Sequence, residues 1–264
     1  QGDAVYIGRD LRESSPRIAE AVIRAVRAAG LRAIDCGAVP TPALALASLR
    51  HGASAIMITG SHIPADRNGL KFYVPSGEIS KSDETAIVAA FGRVHPDAAV
   101  PGAFEEFPDC AAQYLARYQT AFGANALRGL RIGVYEHSSV ARDIFAQAVT
   151  ALGGVAVLLA RSEVFIPVDT EAVDPETRAQ LAGWAAAHGL DAIISTDGDG
   201  DRPMLADAAG RIVPGDVLGA LTARFLGATA LVTPVSSNTQ ISQMPGFASK
   251  IGRASCRERV STIV

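Results

Sequence analysis

Apolar positions in the first part of the chain alternate between the spacing of strands and the spacing of helices. Residues 4–8 form a short apolar run, and the following segment carries apolar side chains at helical spacing as far as Gly30. Ser15 and Pro16 predict the start of this helix, with Ser15 as N-cap. The alternation continues as a strand over 31–36, a helix over 41–50 that Thr41 and Pro42 begin in the same way, and a strand over 54–59. Strands and helices joined by short connections predict an α/β fold with a parallel sheet covered on both faces.

The pattern continues beyond residue 59 with two further groups of elements. Before a boundary at 123–129 we expect a strand, a helix, a proline-containing linker and a second helix, at residues 70–74, 80–91, 92–108 and 109–122. After it we expect strands at 130–135, 155–159 and 191–195, helices at 140–152, 174–188 and 217–226, and a hairpin at 203–206 and 210–213. A strand at 229–235 opens a third group that does not develop, because the periodicity decays after Phe247.

The second group begins with the same order of features as the first. In both, an Ile-Gly pair in a strand is followed by a Ser-Ser pair, a helix and a glycine; the second Ser and that glycine are Ser15 and Gly30 in one, Ser139 and Gly153 in the other. This order is what an internal repeat would show, and it is also how any strand–helix unit starts. The pattern alone leaves both interpretations open.

Composition describes an ordinary globular chain of 264 residues, of which 48% are hydrophobic and 19% charged. A net charge of −3 provides no electrostatic footprint for nucleic acid or an anionic membrane. Three scattered cysteines favour a reducing compartment over a disulfide framework, and no apolar run approaches the ~20 residues of a membrane span or forms a signal peptide. We therefore expect a cytoplasmic protein with neither nucleic-acid nor membrane partners.

The predicted strand at 54–59 leads into a polar loop, residues 59–71, here called the serine loop. Ser61 and His62 lie near its start, and Lys71 ends it. A hydroxyl at the carboxyl end of a strand, with an imidazole beside it and an ammonium ten residues on, suits phosphate chemistry, because serine can carry a phosphoryl group and lysine can neutralise its oxygens. The alternative is a polar loop whose Ser and His only satisfy backbone groups.

The predicted strand at 191–195 leads into a second polar loop, residues 197–202, here called the acidic loop. Asp197, Asp199 and Asp201 alternate with glycines and are followed by Arg202. Three hard oxygen ligands on a flexible backbone describe a Mg²⁺ site. An EF-hand calcium loop also begins with alternating acids, but it needs a glycine where Arg202 stands, a glutamate where Ala208 stands, and flanking helices.

The two loops, read as TGSHIPADRNGLK and TDGDGDR, resemble the phosphoserine and magnesium loops of the α-D-phosphohexomutases (phosphomannomutase/phosphoglucomutase). The first motif departs from the family pattern at Ile63, where asparagine is usual. The resemblance implies two consecutive α/β domains of similar topology, with mixed or parallel sheets, and the start of a third. We expect the phosphoserine-loop domain at 1–122, the metal-loop domain at 123–227, a truncated third domain at 228–247, and a non-native tail at 248–264 because the natural reading frame was lost past Phe247.

The resemblance also assigns roles to the matching residues. Ser61 would carry the phosphoryl group, and Mg²⁺ would be held by that serine and by the three aspartates, Asp197, Asp199 and Asp201. Lys71 and Arg202 would bind substrate and stabilise charge on the moving phosphoryl group, with Lys71 also serving as acid or base; as an alternative, Arg202 would only pair with neighbouring aspartates. His62 would orient groups or exchange protons. Arg9 and Arg12, in GRDLRES, would have a structural or loop-orienting role or, as the alternative, contact substrate.

The activity implied is the interconversion of hexose 1-phosphate and hexose 6-phosphate through a hexose 1,6-bisphosphate, with Mg²⁺ as cofactor and a phosphorylated hexose as substrate. The family's sugar-reading and distal phosphate-binding motifs do not occur in this sequence, so the hexose is not specified. Three alternatives remain: phosphoglucosamine mutase, a catalytically incomplete phosphosugar- or metal-binding fragment, and a hydrolase that loses phosphate from Ser61 to water.

Overall fold

The computed structural model describes residues 2–93, 98–234, 236–247 and 249–254. Its strands are β1 Ala4–Arg9, β2 Arg32–Ala38, β3 Ser54–Ile58, β4 Leu70–Val74, β5 Gly77–Glu78, β6 Phe104–Glu106, β7 Arg131–His137, β8 Val155–Arg161, β9 Ala192–Thr196, β10 Pro203–Asp207, β11 Ile212–Val213, β12 Ala230–Pro234 and β13 Ser249–Ala254. Its helices are α1 Ser15–Ala28, α2 Thr41–Arg50, α3 Lys81–Ala90, α4 Cys110–Phe122, α5 Arg142–Ala151, α6 Pro175–His188 and α7 Gly215–Phe225, with a 3₁₀ turn at Thr239–Gln243. None of the helices in the described ranges has the length and apolar character needed to cross a membrane.

The first sheet has the strand order β5-β4-β3-β1-β2-β6. Strand β1 is parallel to β2 and β3, β6 is parallel to β2, and β4 and β5 are added in antiparallel sense. One face packs Ile7 and Ile58 against α1, and the other packs Leu44 and Met57 of α2 and β3 in a cluster that includes Cys110 of α4. The α/β fold is confirmed. The sheet is mixed because the chain reverses direction after β3, so β4 pairs with it in antiparallel sense.

The second sheet repeats this arrangement with the strand order β11-β10-β9-β7-β8. Strand β7 is parallel to β8 and β9, whereas β10 and β11 are antiparallel. Strands β7 to β11 therefore occupy the places of β1 to β5 in the same directions. Its core packs Leu181 of α6 and Leu190 against Ile193, all three almost fully buried. The shared topology supports the internal-repeat interpretation of the sequence.

Two elements arise where the sequence pattern predicted none. Strand β6 lies inside the expected linker at 92–108 and pairs with β2. Strand β13 pairs in parallel with β12, within the segment expected to be a non-native tail. Residues 248 and 255–264 lie outside the described residues, so the tail, like the expected domain boundaries, stays a prediction.

Candidate active site

Arg12 is buried against the serine loop and is hydrogen-bonded to its backbone. Only 1% of the residue is exposed. Its Nη1 donates to the carbonyls of Pro64 at 2.6 Å and Arg67 at 2.9 Å, and its Nη2 donates to those of Ser61 at 2.8 Å and Ile63 at 2.7 Å. A planar guanidinium presents its donors in a fixed geometry, so one side chain sets the path of the whole loop.

Asp10 connects Arg12 to the backbone of Ser61. Its buried carboxylate accepts from Nε of Arg12 at 3.1 Å and from Oγ1 of Thr59 at 2.8 Å. Thr59 Oγ1 in turn accepts from the N–H of Ser61 at 2.8 Å. Ser61 has φ +50°, a left-handed conformation that non-glycine residues adopt only when their surroundings enforce it. The hydrogen bonds from both sides enforce it here and fix the direction of the side chain.

Two hydroxyls predicted as helix caps have other partners. Ser14 occupies the N-cap position of α1, and the hydroxyl of Ser15 instead donates to Asp10 at 2.5 Å. Pro40 precedes α2, and the hydroxyl of Thr41 reaches the acidic loop. Both cap predictions were wrong because Ser15 and Thr41 are the first residues inside their helices, and each hydroxyl donates to a buried carboxylate.

The acidic loop is held by the segment that follows β7. Ser139 Oγ lies 2.7 Å from Oγ1 of Thr196, and the N–H of Val140 donates to the carbonyl of Gly198 at 3.1 Å. His137 Nε2 lies 2.8 Å from the carbonyl of Thr196 and donates to it. The relation is the same as in the first sheet, where the segment after the first strand holds the loop after the third strand.

The two loops meet across the gap between the sheets. Ser61 Oγ donates to Asp197 Oδ2 at 2.5 Å. Lys71 Nζ donates to Asp199 Oδ2 at 2.7 Å and to Asp201 Oδ2 at 2.6 Å. The structure therefore places the predicted nucleophile, the lysine and all three aspartates in one cluster.

This cluster fits a divalent cation. Asp197, Asp199 and Asp201 each offer one carboxylate oxygen within 4.8 Å of the others. Oδ1 of Asp199 is buried and has no hydrogen-bond partner among the described residues. A buried carboxylate oxygen without a donor is costly, and hard oxygen donors are the ligands that Mg²⁺ and Ca²⁺ prefer.

The electrostatics of the cluster agree with that assignment. Burial, with the charges of Asp199 and Asp201, raises the pKa of Asp197 to about 7 against the opposing hydrogen bond from Ser61. Burial also favours a higher pKa for Asp199, but the charge and hydrogen bond of Lys71, with hydrogen bonds from Thr41 and Asp197, outweigh it and lower that pKa. Burial favours a lower pKa for Lys71, and the two carboxylates overcome it and raise that pKa to about 12. One ammonium thus compensates the crowded carboxylates only in part, and a cation would complete the compensation.

Arg202 enters the cluster through its backbone, because its N–H donates to Asp197 Oδ1 at 3.2 Å. Its guanidinium lies 3.6 Å from the carboxylate of Glu171, a partner outside the acidic loop. The side chain lines an open cleft of about 790 Å³ together with Lys71 and Asp201. A phosphorylated ligand in this cleft would meet two cationic side chains at its edge.

The remaining predicted site residues, His62 and Arg9, have no described hydrogen bond or ion pair with the acidic loop. His62 has a buried Nδ1 with no hydrogen-bond partner among the described residues. Arg9 pairs with Asp35 on the neighbouring strand, with 3.8 Å between Nη1 and Oδ1. The hydrogen bonds and ion pairs described for these two side chains do not link them to the acidic loop.

Sequence reasoning missed Thr41. Its hydroxyl donates to Asp199 Oδ2 at 2.5 Å, 158 residues away in the chain. A threonine before a proline at the start of a helix has the same local pattern whether it caps the helix or not, so no local signal could have revealed this partner.

Comparison with known proteins finds matches to both parts of the chain that carry these loops. The family description "Phosphoglucomutase/phosphomannomutase, alpha/beta/alpha domain I" matches residues 1–96, and the corresponding domain II matches residues 111–210. The chain belongs to this family. The serine loop lies in the part that matches domain I, and the acidic loop lies in the part that matches domain II.

Relatives in the phosphoglucomutase/phosphomannomutase family cover most of this chain. A phosphomannomutase of Sinorhizobium fredii is 47% identical over 251 residues, which are 93% of this chain and 53% of the relative. A phosphomannomutase of Salmonella muenchen is 46% identical and covers 90% of this chain and 49% of its own length. A phosphoglucosamine mutase of Rhodococcus jostii is 30% identical over 88% of this chain and 54% of its own length. The chain therefore spans about half the length of the curated relatives it matches.

Solved structures agree on the fold. A phosphoglucomutase/phosphomannomutase family protein from Burkholderia thailandensis superposes with a TM-score of 0.77 at 24% identity, covering 92% of this chain and 55% of its own. A structure from Thermus thermophilus titled as a phosphomannomutase gives the same TM-score at 22% identity, covering 92% of this chain and 59% of its own.

Proposed function

We propose that this chain carries the phosphoryl-transfer half of a phosphohexomutase, an isomerase that interconverts hexose 1-phosphate and hexose 6-phosphate. The observation that supports this most directly is the 2.5 Å contact between Ser61 Oγ and Asp197 Oδ2, because it joins a hydroxyl able to carry phosphate to a cluster able to bind a cation. Family membership and the 46–47% identity to two phosphomannomutases support the same activity.

In the proposed reaction, phosphorylated Ser61 gives its phosphoryl group to a hydroxyl of a hexose monophosphate. The bond between phosphorus and the serine oxygen breaks as the bond to the sugar oxygen forms, and the proton that the sugar hydroxyl loses is matched by one that the freed serine oxygen gains. The hexose 1,6-bisphosphate then returns its other phosphoryl group to Ser61. Phosphoryl transfer depends mainly on positioning and charge neutralisation, and a loop fixed by the buried Arg12 supplies the positioning.

The cationic residues neutralise charge in this scheme. A pKa of about 12 keeps Lys71 as an ammonium at neutral pH, which suits it to binding phosphate oxygens and donating a proton. Arg202 would leave Glu171 to contact the phosphoryl group or the substrate phosphate, and it already lines the same cleft. Roles for His62 in proton exchange and for Arg9 in substrate binding stay predictions.

We further propose Mg²⁺ as the metal, held by Asp197, Asp199, Asp201 and an oxygen of phosphorylated Ser61. Two observations support this proposal. The donors are all carboxylate oxygens, and Oδ1 of Asp199 is buried without a hydrogen-bond partner among the described residues. When bound, Mg²⁺ supplies Lewis-acid polarisation of the transferring phosphoryl group.

Phosphomannomutase is favoured over phosphoglucosamine mutase as the complete enzyme. The two phosphomannomutases are 46–47% identical, whereas two of the phosphoglucosamine mutases are 30% and 34% identical. A catalytically incomplete fragment is the second candidate for this chain alone, because it spans about half of its relatives. A cytoplasmic location remains part of the proposal.

Incubation with radiolabelled glucose 1,6-bisphosphate and Mg²⁺ tests the proposal. We expect label on Ser61, none in Ser61→Ala, and conversion of mannose 1-phosphate or glucose 1-phosphate only when the missing half is supplied. Label that stays on Ser61 without isomerisation, even when the missing half is supplied, would identify a catalytically incomplete fragment, and rapid release of free phosphate would identify a hydrolase. If the wild-type sequence forms no phosphoserine at Ser61 even when the missing half is supplied, the mutase assignment is refuted.

A further inference from the structure

Thr41 is bonded to Asp199 through both its backbone and its side chain. Its N–H donates to the carbonyl oxygen of Asp199 at 2.9 Å, and its hydroxyl donates to Oδ2 of the same residue at 2.5 Å. Thr41 is 3% exposed and Asp199 is fully buried. A residue of the first sheet's helix α2 therefore holds both the main chain and the carboxylate of a residue in the second sheet's loop.

The two oxygens of that carboxylate have different surroundings. Oδ2 accepts from Thr41 and Lys71, whereas Oδ1 is buried with no partner among the described residues. Hydrogen bonds to one oxygen fix the rotation of a carboxylate, so the bonds to Oδ2 decide where Oδ1 points. Oδ1 is the oxygen left for a cation.

Thr41 is the more permanent of the two donors. Lys71 is a long side chain, 32% exposed, and it divides its bonds between Asp199 and Asp201. In the proposed reaction its ammonium also turns to the phosphoryl group. Thr41 has a short β-branched side chain with little rotamer freedom, anchored by its own backbone bond to Asp199.

We propose that Thr41 is a positioning residue for the metal site, which fixes the carboxylate of Asp199 so that Oδ1 faces the cation. The inference rests on the proposed function only in requiring that the acidic loop binds a divalent cation. It adds a residue outside both loops to the set that determines metal affinity. Second-sphere hydrogen bonds of this kind typically change metal affinity by about 10–100-fold when they are removed.

The test measures Mn²⁺ binding to the 264-residue chain by electron paramagnetic resonance of free Mn²⁺, which needs no catalytic activity. Thr41→Ser and Thr41→Ala form a matched pair, because both remove the methyl group and only serine keeps the hydroxyl. We expect Thr41→Ser to bind within about threefold of wild type and Thr41→Ala to bind about 10–100-fold more weakly. Thr41→Val, nearly isosteric with threonine, should behave like Thr41→Ala.

Circular dichroism in EDTA establishes that each variant is folded, and if Thr41→Val does not fold, the Ser/Ala pair carries the comparison. Equal Mn²⁺ affinity for Thr41→Ala and Thr41→Ser would overturn the inference, whether both are tight or both weak, because the hydroxyl would then have no role. Wild-type chain that binds no Mn²⁺ would refute the metal site of the proposed function and this inference together. Tight wild-type binding with an unchanged Thr41→Ala refutes the inference alone.

Discussion

Arg12 uses all five of its N–H donors, four of them on carbonyls of the serine loop and one on Asp10. Its guanidinium also lies 4.3 Å from the centre of the Phe165 ring, a cation–π contact with the other half of the molecule. Gly60 is required beside it, because a Cβ at that position would lie 2.7 Å from the guanidinium carbon. The path of the serine loop thus depends on one buried side chain.

Replacing Arg12 should therefore affect stability as well as phosphorylation. Arg12→Met leaves the carboxylate of Asp10 buried without its cationic partner, and removal of one member of a buried ion pair costs about 3–5 kcal/mol. Urea unfolding at pH 7 measures the loss. Arg17→Met, at an exposed position on the adjoining helix, should stay within about 0.5 kcal/mol of wild type. Equal, small effects of the two changes would contradict the role given to Arg12.

His137 is fully buried in a positive-φ conformation at the end of β7. Burial lowers its pKa to about 4, the nearby charge of Arg142 acts in the same direction, and the hydrogen bond to Thr196 opposes them. The folded state therefore holds a neutral imidazole at pH values where the unfolded chain is protonated. The neutral ring in turn orients the carbonyl that precedes Asp197.

Stability should consequently fall as the pH drops from about 6.5 to about 4. In this window the unfolded state binds a proton at His137 that the folded state does not. The stability that the neutral His137 contributes is therefore fully present above the pKa of the unfolded state and is lost as the pH falls to the pKa of the folded state. The shift corresponds to about 3 kcal/mol as an upper bound. We expect urea unfolding of wild type to lose more stability between pH 7 and pH 4 than His137→Asn, which keeps a residue tolerant of positive φ. Parallel losses in the two proteins would show that His137 does not titrate in this way.

At the scale of elements, the acidic loop passes between the two halves of the molecule only because its glycines leave room. Gly200 has φ +80°, and a Cβ there would lie 3.0 Å from Cβ of Pro40 and 3.3 Å from Cβ of Ala141. Both neighbours belong to segments that begin helices, one on each sheet. Gly200 therefore lies between the segments that begin α2 and α5.

Gly200→Ala should destabilise the protein by about 1–2 kcal/mol from the left-handed backbone alone, and it should also weaken Mn²⁺ binding by pushing the loop from Pro40. Gly183→Ala is the matched change, since Gly183 lies inside α6 with nothing within 4 Å of the added carbon. We expect that variant to gain about 0.5–1 kcal/mol from helix propensity, with unchanged Mn²⁺ affinity. Thermal unfolding and Mn²⁺ titration distinguish the two. A harmless Gly200→Ala would mean that the loop has more room than the geometry indicates.

Element types followed from the sequence wherever periodicity was strong. The helix at Ser15–Ala28 follows the apolar spacing that the sequence shows as far as Gly30. The helix at Pro175–His188 was predicted at 174–188, and Asp174 caps it by accepting from the N–H of Thr177. Strand β6 was missed because its three residues are all exposed and carry no alternation. The partners of Thr41 and Arg12 were out of reach because they depend on how distant segments dock, and hydroxyl or guanidinium donors have no periodic signature.

For the whole molecule, the site joins two independently packed sheets through polar contacts. The serine and the lysine come from the first sheet's loop, and the aspartates come from the second sheet's loop. The sequence indicated both loops from their residue types and from their places after apolar strands. That the two loops meet was implied by the family resemblance alone, because the distance between Ser61 and Asp197 depends on the docking of one unit against the other.

A cation bound between the loops should stabilise the fold as one unit. Mg²⁺ at about 100 times its dissociation constant should add about 2.7 kcal/mol to the free energy of unfolding, because it binds the folded state alone. Trp184, the single tryptophan, packs against Tyr135 in the second unit and reports that unit's unfolding by fluorescence. Chelation with EDTA should remove the gain, and Asp199→Asn should show none. An equal Mg²⁺ effect on Asp199→Asn would locate the bound ion elsewhere.

The site draws its residues from two separately packed sheets, and this has a consequence for how it could evolve. Each half could arise, persist and vary as a well-packed scaffold in its own right, one displaying an alcohol and the other a group of acids. Neither would be a catalyst by itself. The proposed phosphoryl transfer needs the serine loop and the acidic loop in contact. Selection on that activity would therefore act first on the few side chains at this contact.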